Sequence, residues 1–273
     1  MYRNAIRLFD VSLRNGTQRP ITPYNMRFNR DLLDNIISKN VKDIELGSMS
    51  SSEVSHKTNE SVELFKYTKT ICKDHINYYM LFHNSKNILE GLSLGVQNFS
   101  LFTSMSDVFL RKNNQKTLYE TQTELDKSFQ LLASKKDEVK NIKLYISCIN
   151  ECPIKGRIST TNIIRELVSY YYEYDDITNI CLLDTCGSLK PDILEEIIHR
   201  IVLEGVDIKK ISLRIQSSDN DINRMNSILD ISLNNDIRQF DISLLGTENN
   251  LITHEEKNAR ILNYNVLHNY LYV

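Results

Sequence analysis

The sequence predicts a parallel (β/α)8 barrel of the TIM type, an α/β fold forming one domain over residues 1–273. Two observations carry that reading. Eight short apolar, β-rich runs alternate with eight longer stretches of helical period, and no low-complexity linker divides them. The first strand, at 6–11, takes its apolar residues from Ile6, Leu8 and Val11, with Leu13 following. A helix at 30–39 starts at Asn29, ahead of Asp31-Leu32-Leu33, and leads to a strand at 43–46. Helices at 60–73 and 86–94 flank a strand at 77–82, and the strand at 98–101 precedes a helix at 118–135. A strand at 143–149 runs into a helix at 160–174, which Ser159-Thr160 opens. The strand at 179–183 leads to a helix at 191–204, with Pro191 in its first turn. The final units are strands at 210–215 and 240–243, each followed by a helix, at 219–233 and 255–268.

Composition narrows the function classes. The chain is 41% hydrophobic and 25% charged, which is ordinary for a protein with a sizeable core. Its net charge is −2 and its Lys and Arg residues are scattered, so no nucleic-acid footprint is expected. No run reaches the ~18 apolar residues of a membrane span, and no charged-then-apolar leader precedes the first strand, so neither a membrane nor a signal peptide is expected. Five cysteines, an odd number, point to reduced thiols and a cytoplasmic location. Cys148-x3-Cys152 and Cys181-x4-Cys186 fit zinc spacing poorly.

Barrels of this type do chemistry at the C-terminal ends of their strands. That places Arg14, Asn15 and Gln18 after the first strand and Glu45 on the second. His83 follows the third, Asp184 the sixth, and Arg214 and Gln216 lie at the end of the seventh. Lys143, Lys209 and Lys210 fall at strand N-terminal ends, the wrong face for a Schiff-base aldolase. Asp184 reads equally well as the cap of its own turn, and Arg14–Glu45 as a structural pair.

The segment LRNGTQ at 13–18 resembles the LRDGxQ motif of the DRE-TIM metallolyases, the group of HMG-CoA lyases, isopropylmalate synthases and homocitrate synthases. IELGSMSS at 44–51 is similar to that family's second strand and loop. YISCINECPIKGRIS at 145–159 is similar to its YVSCxxGCPYEGxIS stretch, and CLLDTCGSLKP at 181–191 to SLGDTIGxGTP. HMG-CoA lyases are the nearest branch. The resemblance implies a carbon–carbon lyase in which the Arg of the opening motif stabilises an enolate. It also implies a divalent metal held by the motif's Asp, two His of an H-x-H and a later Asn, and a homodimer.

The matching positions here are Asn15, Arg214 and Gln216, with Asn250 alone keeping its family identity. An amide is a weak ligand for a divalent cation, and a guanidinium has no lone pair. At about 4 Å it would repel such a cation by several kcal/mol at an effective dielectric of ~20. No metal cofactor is therefore expected. The altered set nevertheless carries the same net +1 as the family's metal with its ligands. An Arg fork also binds carboxylates and enediolates bidentately.

Two readings of the site stay open. In one, Arg214 replaces the cation, Arg14 is a second clamp and Asp184 an acid/base; Gln18 and Asn250 orient a substrate also lined by Asn15, Glu45 and Gln216. In the other, the site has drifted and Arg214 is satisfied by Asp184, Glu45 or Asp219. The corresponding functions are a metal-independent lyase or aldolase acting on a small acyl-CoA or 2-oxoacid, and an inactive barrel binding an anionic metabolite or a protein partner. A third, a surviving metal-dependent lyase, would need an unusual ligand set.

Overall fold

A computed structural model of the chain describes residues 6–16, 25–49, 55–71, 73, 75–217, 221–245 and 260–272. In chain order the elements are β1 (Arg7–Asp10), α1 (Ser12–Gly16), α2 (Met26–Ser38), β2 (Asp43–Met49), α3 (Ser55–Ile71), β3 (Asn77–Phe82), α4 (Ser85–Leu94) and β4 (Asn98–Ser104). Then come α5 (Asp107–Asn114), α6 (Leu118–Ser134), β5 (Asn141–Ser147), a hairpin of β6 (Glu151–Cys152) and β7 (Gly156–Arg157), α7 (Thr160–Glu173), β8 (Asn179–Leu183) and α8 (Pro191–Leu203). The chain continues through β9 (Ile211–Arg214), β10 (Gln216–Ser217), α9 (Ile222–Asn234), β11 (Gln239–Ile242), β12 (Arg260–Ile261) and α10 (Tyr264–Tyr272).

Eight of these strands close a barrel in the order β1-β11-β9-β8-β5-β4-β3-β2, with parallel pairing throughout. This is the fold class read from the alternation of apolar runs. The larger apolar core lies between strands and helices, with Ile44, Met80, Phe99, Leu144 and Ile180 facing Leu33, Ile88, Ile163 and Ile197. Alternate strand residues turn the other way. Phe9, Tyr79, Leu81, Tyr145, Cys181 and Leu183 form a separate cluster on the inner wall.

Local chemistry explains where the elements depart from the sequence reading. The first strand stops at Asp10 because the Asp10 carboxylate accepts the Ser12 N–H at 2.8 Å and turns the chain into α1. The cap of α2 is Asn25, which accepts the Phe28 N–H at 2.9 Å; Asn29 lies inside the helix, buried. The last helix begins at Tyr264, where Asn263 accepts the Val266 N–H. Residues 260–261, expected as helix, instead pair antiparallel with Gln216 and Ser217, carrying this strap across the barrel mouth.

In β2 the register slips between Glu45 and Gly47. Gly47 is required there, since a Cβ would sit 2.1 Å from the Ser61 hydroxyl oxygen of α3. The bulge places the Glu45 side chain at the C-terminal mouth while α3 stays closely packed.

Candidate functional site at the barrel mouth

The inner wall carries charge in two tiers. Toward the N-terminal end, Arg7 pairs with Asp43, whose carboxylate also accepts from Asn77. Lys143 on β5 meets Asp241 on β11 with Nζ and Oδ1 at 2.5 Å, both side chains buried. The Lys143 ammonium also lies 3.4 Å from the centre of the Phe9 ring and 4.9 Å from that of Tyr145. A small pocket of about 40 Å³, open to solvent, lies at this end and is lined by Arg7, Phe9, Asp43, Tyr79, Asn141 and Lys143 among others.

The second tier is the C-terminal mouth. Arg14, in the turn of α1 after β1, pairs through Nε with the Glu45 carboxylate. Its guanidinium lies 5.0 Å from the centre of the Tyr145 ring, and the Tyr145 hydroxyl donates to Glu45 Oε2 at 3.2 Å. Arg14 Nη2 and Glu45 Oε1 are buried and find no hydrogen-bond partner among the described residues. Arg214, at the end of β9, is 1% exposed and is the largest fully buried side chain described. Gln216 follows it at the start of β10, also buried. Over them lies the strap, with Ile261 buried in the same cluster as Phe9, Leu81, Tyr145 and Leu183.

The two arginines respond differently to this setting. Burial opposes the charge on Arg14, but the adjacent Glu45 carboxylate and the Tyr145 oxygen outweigh it and its pKa rises. For Arg214, burial and then repulsion from Arg14 lower the pKa to about 10. His83, after β3, is held neutral near pH 7: burial, then Arg14 and Lys116, lower its pKa to about 4. The Tyr145 phenol is pushed well up by burial and by the Asp241 and Glu45 carboxylates.

Asp184, a candidate acid/base, is committed elsewhere. Its Oδ1 accepts the N–H groups of Ser188 and Leu189 at 3.0 and 3.1 Å, and its Oδ2 accepts Arg224 Nη1 at 3.0 Å. Burial raises its pKa, with the Arg224 charge pulling the other way. The geometry is that of a turn cap joined to an ion pair. Of the other candidates, Asn15 lies in α1, its side chain outside the described residues, and Gln18, Asp219 and Asn250 lie outside them altogether. The buried thiol of Cys148 is pushed up to about 12 by desolvation, so it stays a thiol.

Three residues of this constellation escaped the sequence reading, Tyr145, Asp241 and Arg224, and Lys143 was weighed there only as a Schiff-base lysine. Lys143 is near the N-terminal end of β5, as expected, yet its side chain lies inside the barrel. The available signal was a charged residue within an apolar strand, which demands a buried partner. Lys143 and Asp241 both carried that signal.

Comparison with known proteins places this architecture. The HMGL-like family model matches residues 5–215. The chain belongs to the HMGL-like family. The match ends inside the Arg214-Ile215-Gln216 segment. Among curated relatives of this HMGL-like protein, the mitochondrial hydroxymethylglutaryl-CoA lyase of Macaca fascicularis is 23% identical over 203 residues, 73% of this chain and 59% of that one. The 3-hydroxy-3-isohexenylglutaryl-CoA/hydroxymethylglutaryl-CoA lyase of Pseudomonas aeruginosa is 23% identical over 158 residues, 58% of this chain and 51% of that one. The chain thus spans less than two thirds of the length of these relatives.

Among solved structures, the hydroxymethylglutaryl-CoA lyase of Pseudomonas aeruginosa superposes with a TM-score of 0.82 at 20% identity, covering 96% of this chain and 84% of that one. An HMG-CoA lyase from Acinetobacter baumannii, solved with coenzyme A and 3-methylmalate, gives 0.81 at 20% identity, covering 96% and 82%. These likenesses concern the fold. No described helix is long and apolar enough to cross a membrane.

Proposed function

We propose that this HMGL-like barrel binds a small anionic metabolite, a 2-oxoacid or the acyl part of an acyl-CoA, at its C-terminal mouth without a metal ion. The observation that carries the reading is the approach of two guanidinium groups, the mostly buried Arg14 and the fully buried Arg214, close enough that Arg14 adds to burial in depressing the Arg214 pKa. Arg14 Nη2 offers a buried donor with no partner among the described residues. A carboxylate between the two forks would relieve their repulsion and satisfy that donor. In this reading Glu45, which pairs with Arg14, and the buried Gln216, two residues after Arg214, would complete the substrate-facing set.

The donor set does not fit the family's divalent cation. Arg214 has only N–H donors to present, Gln216 has one neutral oxygen, and the Glu45 carboxylate is already joined to Arg14. A cation entering this tier would face two guanidinium charges. The Asp184 carboxylate is engaged by three donors, the Ser188 and Leu189 N–H groups and Arg224 Nη1, which argues against an acid/base role for it. The reading is therefore recognition without the family's metal-dependent cleavage.

A second reading, metal-independent carbon–carbon cleavage, draws on His83, a neutral imidazole within electrostatic reach of Arg14. One experiment separates the two. Calorimetric titration with pyruvate and with hydroxymethylglutaryl-CoA, in chelator, is expected to give binding that Arg214→Leu abolishes. A cleavage assay on the same samples is expected to show no turnover. Turnover lost in His83→Gln would establish the second reading, and wild-type protein that binds neither probe would remove both. A cytoplasmic location and a homodimer belong to the same proposal and are tested by fractionation and by light scattering.

A further inference from the structure

Three consecutive carbonyls at the end of β9 are each held by a different element. The Arg214 carbonyl accepts the Asp184 backbone N–H at 3.1 Å, and the Ile215 carbonyl accepts the Leu262 N–H of the strap at 3.1 Å. The Gln216 carbonyl accepts Nη2 of Arg224, from the first turn of α9. The other nitrogen of that fork, Nη1, donates to the Leu189 carbonyl at 2.8 Å and to Asp184 Oδ2 at 3.0 Å. The Arg224 side chain is 14% exposed and Asp184 is buried, so the ion pair is mostly shielded from water.

We propose that Arg224, acting with Asp184, is a positioning residue for the anion site: it clasps the ends of β8 and β9 and so aims Arg214 at the barrel axis. The inference rests on the anion-binding reading of the mouth. Its geometry requires a planar fork. One guanidinium reaches two carbonyls and a carboxylate on two separate segments, the 184–189 turn after β8 and Gln216 after β9, which a single ammonium cannot reproduce. Asp184 contributes twice to the same segment, through its carboxylate to Arg224 and through its backbone N–H to the Arg214 carbonyl. The clasp also neutralises the Arg224 charge where it sits, against the buried Asp184 carboxylate. Asp184 is thereby assigned a role in placing the binding group rather than in moving a proton.

The test compares wild type with Arg224→Leu, Arg224→Lys, Asp184→Asn and the Arg224→Leu/Asp184→Asn double variant. Pyruvate affinity is measured by calorimetry, alongside hydrogen exchange of the peptide covering 211–217. Arg224→Leu is expected to weaken pyruvate binding at least tenfold and Arg224→Lys by a few-fold. Asp184→Asn should match Arg224→Leu, with the double variant no weaker than either single one. Exchange at 211–217 should rise in Arg224→Leu and stay unchanged in the strands opposite. A folded Arg224→Leu or Arg224→Lys protein with wild-type pyruvate affinity would overturn the proposal, as would fully additive losses. If Arg224→Leu does not fold, Arg224→Lys decides. If wild-type protein binds no pyruvate, the anion reading falls on its own, and exchange at 211–217 then judges the clasp: faster exchange upholds it and unchanged exchange rejects it.

Discussion

Lys143 and Arg214 are both buried cations on the inner wall of one barrel, yet their settings differ. Lys143 has the Asp241 carboxylate at 2.5 Å and two aromatic faces around its ammonium. Arg214 lies in the field of a second guanidinium, Arg14; the Tyr145 oxygen and the Asp241 carboxylate pull the other way, but burial and that repulsion prevail and its pKa falls. A matched pair of this kind serves the fold. A site in which like charges are held together is suited to a ligand of the opposite sign. The difference teaches where function resides in a barrel whose two ends are both charged.

The comparison can be broken most forcefully at Lys143. Lys143→Met leaves Asp241 buried and unpaired, and should destabilise the protein by about 3–5 kcal/mol in urea unfolding. The Lys143→Met/Asp241→Leu double variant should recover most of that loss. Equal instability of both would show that packing, not the pair, matters.

Arg214→Met should behave in the opposite sense. Its folded pKa lies below the ordinary value, so the fold disfavours its charge. Removing it should leave unfolding stability unchanged or raise it by up to about 3 kcal/mol, while pyruvate binding disappears. A destabilisation as large as that of Lys143→Met would erase the contrast between the two tiers.

Asp10 sharpens the comparison through pH. Burial raises its carboxyl pKa to about 6, against the hydrogen bonds from Tyr264 and Ser12. The folded state therefore holds this proton where the unfolded chain has released it. The contribution of Asp10 to stability rises as pH falls from about 7 to about 4, by about 3 kcal/mol. His83 acts oppositely over the same window, since its lowered pKa makes the folded state resist protonation. The wild-type minus Asp10→Asn difference in unfolding free energy isolates the first effect, and a difference independent of pH would refute it. The smallest change is expected at Arg7, whose side chain is 48% exposed: Arg7→Met should alter stability by no more than about 1 kcal/mol.

Much of this molecule can be read in the chain. The alternation of apolar runs located all eight barrel strands, and those at 77–82 and 179–183 match β3 and β8 residue for residue. The turn after β1 could not be read that way. Leu13 continues an apolar pattern, and only the Asp10–Ser12 bond ends the strand. The basic members of the mouth, Arg14 and Arg214, were visible because strand ends are marked by a local change from apolar to polar. The partners of Asp184 were not, since Arg224 is 40 residues away on a helix that gives no sign of where its side chain reaches.

Periodicity is a local property, so the sequence by itself determined the barrel and the order of its strands. The pairing of charges depends on distances across the closed barrel, as between Lys143 and Asp241, 98 residues apart. In a low-dielectric interior, moving a carboxylate a few ångströms decides whether a cation is matched or repelled. Only the tertiary structure could make that decision. It gave Asp241 to Lys143, Glu45 to Arg14 and Asp184 to Arg224, and set Arg214 beside Arg14.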